Sequence, residues 1–283
     1  MIHLPDRAVL RLSGEDARSW LANLVTCDIA GLKPGGGRWG ALLTPQGKIL
    51  FDFLATTDED GRLYLDTDRT RAGDFAKRLN FYRLRAKVAV EDLSEGWSVH
   101  AALPPGIAPE AGAIAFADPR HPGLGQRILL PEAGVVDEAA MAAYHARRIS
   151  LGIPEGGKDF AFGDTFPHEA LMDMLDGVDF KKGCYVGQEV VSRMQHRGTA
   201  RTRIVPVTAT SSLPATGAEI RIGDKPAGTL GSSAGSHGLA LLRLDRVEEG
   251  ADKGKVLATG EIGLAVVKPD WWRAGALDHK VSA

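Results

Sequence analysis

Asp179-Phe180-Lys181-Lys182-Gly183-Cys184-Tyr185-Val186-Gly187-Gln188-Glu189-Val190-Val191-Ser192-Arg193-Met194-Gln195-His196-Arg197-Gly198 joins a charged turn to an amphipathic helix. Val190, Val191 and Met194 form a narrow apolar stripe at helical spacing, and Gln188, Glu189, Arg193 and Arg197 point away from it. Gly198 is a natural stop, and Glu189 in the first turn suits the positive end of the helix dipole. Cys184 falls in the turn before that helix, beside Lys181 and Lys182. A helix N-terminus and neighbouring lysines both favour thiolate, which points to a reactive thiol. The competing reading is a buried cysteine that packs as a small hydrophobe. Gly183 and Gly187 flank the sulfur and indicate a tight turn or close backbone approach by a ligand. From Lys181 to Arg201 the cations Lys181, Lys182, Arg193, Arg197 and Arg201 face Glu189 alone. That excess suits an anion such as a glutamate tail or phosphates, and equally a solvated helix face.

Upstream, residues 9–12 read as a strand, and Ser13-Gly14-Glu15-Asp16 opens a helix with Trp20, Leu21, Leu24 and Val25 on one face. Residues 38–44 and 48–56 form a hairpin around Pro45-Gln46-Gly47, followed by a strand at 62–66. A helix is expected over 68–79, an alternating strand over 83–91, and a second helix over 137–151 that stops at Gly152 before Pro154. The stretch 97–131 mixes short strands with Pro and Gly turns. Downstream of Gly198 the apolar runs 204–207, 227–230, 238–244 and 263–267 alternate with turn residues, the texture of a small antiparallel barrel or sandwich. The expected division is therefore an α+β body over 1–197 and an all-β domain over 198–283.

The chain has 283 residues, a formal net charge of −2 and 34 glycines. That balance excludes a surface that grips nucleic acid throughout, leaving only local patches, so no direct nucleic-acid partner is expected. Two cysteines, Cys27 and Cys184, are too few for a disulfide scaffold or a closed all-thiolate metal site. Cys27, among Leu24, Val25 and Ile29, reads as core. The start lacks a basic stretch followed by an apolar run, and no long apolar window suggests a membrane span, so a reducing, cytoplasmic location is expected. Gly35-x-Gly37-x-x-Gly40 matches a dinucleotide fingerprint as a string, but Pro34 precedes it and a strand follows, so it reads as a turn. In Phe166-Pro167-His168-Glu169-Ala170-Leu171-Met172-Asp173, Glu169 follows a proline turn in an apolar setting. Such a carboxylate needs paired donors, unless it is an ordinary helix-starting or surface residue. His168 and His196 lack companion ligands at short spacing and read as polar residues, so no metal site is expected.

The string Lys182-Gly183-Cys184-Tyr185-Val186-Gly187-Gln188-Glu189, with Arg193 and Arg197-Gly198 behind it, resembles the hallmark of the YgfZ-type folate-binding proteins. These are bacterial counterparts of a mitochondrial iron–sulfur assembly factor and relatives of the glycine-cleavage T-protein. Leu21–Asp28, Pro45–Asp52, Phe81–Val88, Arg148–Pro154, Phe166–Asp173 and Gly228–Leu244 are similar to further family segments. The resemblance implies a T-protein-like α+β fold with a ferredoxin-like part and a C-terminal antiparallel barrel, binding tetrahydrofolate or a one-carbon derivative. It implies that Glu169, before Ala170, holds the pterin through the two parallel N–H donors of its 2-amino-4-oxo edge. It also places Asp52 near the folate. At Phe51-Asp52-Phe53 one of the T-protein's two acids has become aromatic, which counts against the alternative activity, an aminomethyl or other one-carbon transferase. The implied role is accessory: assembly or repair of iron–sulfur clusters of [4Fe–4S] enzymes, with cluster proteins as partners and an indirect effect on tRNA modification. Cys184 is then the functional thiol, with Lys182 and the following helix lowering its pKa and Gln188, Glu189 and Arg193 shaping its surroundings.

Overall fold

The computed structural model describes residues 1–103, 112–198 and 200–272. They form two compact units, each made from two stretches of chain: Met1–Tyr144 with Leu175–Gln188, and His145–Met174 with the residues from Glu189 onward. This division differs from the single boundary expected at residue 198. Residues 145–174 and 189–197 group with the barrel, and 175–188 return to the first unit. No helix among the described residues is long and apolar enough to cross a membrane.

The first unit is built on an antiparallel sheet in the order Arg38–Leu43, Ile49–Thr57, Leu63–Asp68, Arg7–Ser13, Ala89–Asp92. Period-2 alternation turns Ala8, Leu10 and Leu12 to one face. There they pack with Leu21 of helix α1 (Ala17–Ala22) and with Phe75 and Leu79 of helix α2 (Ala72–Arg83). The expected hairpin is present, with the Gly47 N–H donating to the Thr44 carbonyl at 2.8 Å. Gly35–Gly37 leads into the strand Arg38–Leu43, so no helix follows the glycines. Helix α2 starts and ends later than its expected 68–79 span. The Asp68 side chain accepts the Thr70 N–H and caps a short 3-10 turn at Arg69–Arg71 first, and the helix then continues to Arg83. Of the strand expected over 83–91 only Ala89–Asp92 forms. The 97–131 stretch, expected to mix short strands with turns, supplies Ser98–Ala102, Ile114–Ala117 and Gln126–Leu130, which with Ile2–His3 make a second antiparallel sheet.

Helix α3 (Glu138–Ser150) carries the chain into the second unit, and helix α4 (Gln188–Arg197) leads to the barrel. The barrel sheet runs in the order Ile262–Gly263, Leu257–Thr259, Glu219–Ile222, Lys225–Ala234, His237–Arg243, Thr202–Thr208, Ala265–Val266. Its two edge strands are consecutive in sequence, separated by Leu264 alone, so the sheet curls until its edges nearly meet. Closure of this kind removes bare strand edges. Helix α5 (Leu244–Asp252) buries Leu244 and Val247.

Arg148, at the end of α3, is fully buried. It donates to the Ile153 carbonyl (2.7 Å), to Asp159 Oδ2 (2.6 Å) and to Ser232 Oγ (2.9 Å), and its Nε lies 3.2 Å from Glu155. Asp159 in turn accepts the N–H groups of Glu155 (2.9 Å) and Ser232 (2.7 Å). Gly152, at φ 76°, ends α3 where an added Cβ would sit 2.7 Å from Pro206. Only glycine combines that backbone with that closeness.

Candidate functional site

The turn ahead of α4 is stitched to the first unit by backbone and side-chain bonds. Thr26 is the central stitch. Its hydroxyl donates to the Gly177 carbonyl (2.7 Å) and accepts the Ala41 N–H (2.9 Å), while its carbonyl accepts the Asp179 N–H (2.9 Å). Asp179 Oδ1 accepts the N–H groups of Lys181 (2.7 Å) and Lys182 (3.2 Å), which fixes the bend.

Lys182 occupies an inward-facing place that sequence alone does not reveal. Its ammonium donates to the carbonyls of Ala22 (2.6 Å), Val25 (2.5 Å) and Cys27 (3.0 Å), just past the C-terminal end of α1. Three N–H donors meet three carbonyl acceptors, so the cation caps the exit of that helix. It also lies 5.4 Å from the Tyr185 ring centroid. Burial lowers the Lys182 pKa, while Cys27, Asp28 and Asp179 work the other way. The lysine expected to tune the thiol is therefore a clamp that holds the loop down.

Cys184 is exposed, and the alternative of a buried packing cysteine does not hold. Cys27 is the buried one, its thiol pushed up to about 12 by burial, with Lys182 opposing. Tyr185 points inward next to Cys184 in sequence, its hydroxyl pushed up to about 12 by burial and then by Asp179. Val186 packs against the core of the first unit. Gly187, at φ 78°, brings its backbone onto the hairpin turn: a Cβ there would lie 2.6 Å from the Thr44 carbonyl oxygen and 3.0 Å from Gly47. Nothing lies within 4 Å of a Cβ placed on Gly183, so close protein packing does not explain that glycine. The loop thus alternates inward anchors at 182, 185 and 186 with an outward sulfur at 184.

Helix α4 begins four residues after Cys184, and Val191 is its fully buried residue. Glu189 and Arg193 form an exposed i,i+4 pair at 2.6 Å on its outer side. In the second unit, the Glu169 Oε2 accepts the Phe166 N–H at 2.8 Å, which orients the carboxylate. The Glu169 carbonyl accepts the Ile204 N–H of the barrel at 2.8 Å. Around it, Arg203 grips Asp173 through two bonds (2.9 and 2.8 Å) and donates to the His168 carbonyl (2.8 Å). His168 is buried, with Nε2 3.0 Å from Gln195 Oε1. Leu171, fully buried at φ 64°, holds a backbone conformation that costs a branched residue energy, so the surrounding bonds over-determine this turn. In the first unit Asp52 is buried in its strand, and its Oδ2 accepts the Trp39 indole N–H at 3.3 Å. Phe51 is also buried, stacked on Phe75 with centroids 4.7 Å apart. The place where the resemblance loses an acid is therefore filled by a ring stacked on Phe75.

Residues 201–274 match the family model of the CAF17 C-terminal beta-barrel domain. The whole chain is similar to the human mitochondrial iron–sulfur cluster assembly factor IBA57, 31% identical over 95% of this chain and 84% of the relative. The mouse protein of that name is also 31% identical, over 96% and 85%. The Mycosarcoma maydis homolog is 32% identical over 88% and 75%. Among solved structures, the glycine cleavage system aminomethyltransferase T from Bartonella henselae superposes with a TM-score of 0.75 at 18% identity, covering 95% of this chain and 85% of that one. At that identity the likeness is one of fold: a mixed α and β body carrying a C-terminal antiparallel, nearly closed barrel.

Proposed function

This chain belongs to the IBA57 family of iron–sulfur cluster assembly factors, and from that premise we propose that it serves the assembly or repair of [4Fe–4S] enzymes as a YgfZ-type member. The observation that carries the reading is an exposed thiol, Cys184, on a loop whose neighbours are pinned inward by Lys182 and Tyr185. An exposed cysteine on an anchored loop can meet a partner's cluster or thiol without the loop having to order first. Cluster-carrying proteins are the partners, the cytoplasm is the compartment, and any effect on tRNA modification runs through a cluster-containing enzyme. The buried, stacked Phe51 leaves the alternative, aminomethyl or one-carbon transfer, short of one acid. In a strain lacking the gene, wild type is expected to restore [4Fe–4S] enzyme activities, and Cys184→Ser to restore less than about a tenth of that while folding normally. Full rescue by the serine variant would refute the role of the thiol.

Tetrahydrofolate, or a one-carbon derivative of it, is the proposed cofactor, and the residues present fit it in one respect. The Glu169 carboxylate is oriented by a backbone N–H, and a carboxylate oxygen retains lone pairs for further donors. Glu169 would accept the paired N–H groups of the pterin. The cofactor would supply one-carbon or reducing chemistry. Calorimetric titration with tetrahydrofolate is expected to show binding that Glu169→Gln weakens about 10- to 150-fold, the equivalent of about 1.5–3 kcal/mol for hydrogen bonds to a charged group. Absence of binding by the wild type, or equal binding by the variant, would remove folate from the proposal.

A further inference from the structure

Helix α2 departs from the usual amphipathic pattern. Ala72, Phe75 and Leu79 fill the core. The opposite stripe, spaced i, i+3, i+4 and i+7, is Asp74, Lys77, Arg78 and Phe81. All four are exposed, and Phe81 is 72% so. Just beyond, Leu84 is 90% exposed with φ 44° and ψ −107°, outside the conformations leucine favours. Two large apolar side chains therefore stand in water at one end of a helix whose apolar face is already used.

Their surroundings are cationic. Between Arg69 and Lys87 there are seven lysines and arginines against Asp74 alone, in a chain whose net charge is −2. Lys77 pairs with Asp74 and Lys87 with Glu15, while Arg78 and Arg85 have no acidic partner among the described residues. Beside the stripe lies a groove of about 400 Å³. Leu50, Phe51 and Phe81 supply its apolar lining, and Arg71, Lys77 and Arg78 its cations, with Asp74 the acid among them, paired to Lys77. The Arg71 guanidinium lies 5.0 Å from the Phe51 ring centroid and donates to the Leu50 carbonyl at 3.2 Å, so this side of the groove is held in place.

We propose that this face of α2 docks an acidic protein segment carrying an apolar anchor, the anchor entering the groove beside Phe81 and the acids meeting Lys77, Arg78 and Arg85. Charge complementarity selects the sign of the partner. The apolar centre with a charged rim is the anatomy of a protein interface. Nucleic acid would draw on a broader array of cations, and a bilayer on a helix with a spare apolar face, which α2 lacks. The inference stands apart from the iron–sulfur reading.

The test uses the full chain and a fluorescein-labelled synthetic peptide of glutamate pairs separated by leucines, read by anisotropy. Wild type is expected to bind it, less tightly as salt rises from about 50 to about 300 mM. Phe81→Ser and the double variant Lys77→Glu, Arg78→Glu are each expected to weaken binding at least about tenfold with unchanged thermal midpoints, since all three side chains are exposed. No binding by the wild type, or variants that bind as it does, would overturn the proposal. So would tighter binding of a single-stranded RNA or of phosphatidylserine vesicles than of the peptide.

Discussion

Replacing Arg148 by methionine is expected to destabilise the second unit by about 3–5 kcal/mol, the usual consequence of removing one member of a buried charge cluster. The side chain is fully buried and ties the end of α3 to the Ile153 carbonyl, to Asp159, to Glu155 and to the barrel residue Ser232. Methionine fills much of the volume but returns no donor. The Ile153 carbonyl and the Ser232 hydroxyl lose a donor, and Asp159 loses the guanidinium that balances it while still holding the Glu155 and Ser232 N–H groups; Glu155 keeps its pair with Lys158 at 2.7 Å. Thermal melting should show the transition falling by roughly 6–20 °C. Arg148→Lys should recover only part of it, because one ammonium cannot reproduce the guanidinium fork. A melting point within a degree of wild type would show that the cluster contributes nothing net.

Lys182→Met is expected to cost about 2–3 kcal/mol locally, because it strands the carbonyls of Ala22, Val25 and Cys27 while relieving the desolvation of one ammonium. The loss should appear first as loosening rather than global unfolding. Amide exchange at residues 181–186 and 22–27 should accelerate about 30- to 150-fold, the conversion of that energy at 1.4 kcal/mol per decade. Cys184→Ser should leave those amides unchanged, since the sulfur is exposed. The two variants thus separate the anchoring of the loop from its chemistry. Unaltered exchange in Lys182→Met would mean that Thr26 and Asp179 hold the loop unaided.

Features written in neighbouring residues were legible in the sequence, and those written in distant pairs were not. Val190, Val191 and Met194 announced α4, and Pro45-Gln46-Gly47 the hairpin, because their periodicity and turn chemistry are local. The barrel strands followed from short apolar runs between turns. The inward course of Lys182 was hidden, since its carbonyl partners lie 155–160 residues earlier in the chain. A lysine beside a cysteine suggests thiolate chemistry until the fold supplies three better acceptors. Change of texture at Gly198 located the barrel strands. Membership of the units is decided instead by long-range bonds such as Ile204 to Glu169 and Arg203 to Asp173. Helix α2 outruns its expected end because Arg83, Leu84 and Arg85 alternate like a strand while standing in solvent.

The interleaving of the units sets the timetable by which a nascent chain can mature. When residue 144 has left the ribosome the first sheet is complete, yet the segment bearing Lys182 and Cys184 is still unmade, and the exit of α1 waits without its cap. Translation must pass Gln188 before the first unit is sewn shut, and must reach Val266 before the barrel's seam can form. No single cut in the polypeptide releases either body whole.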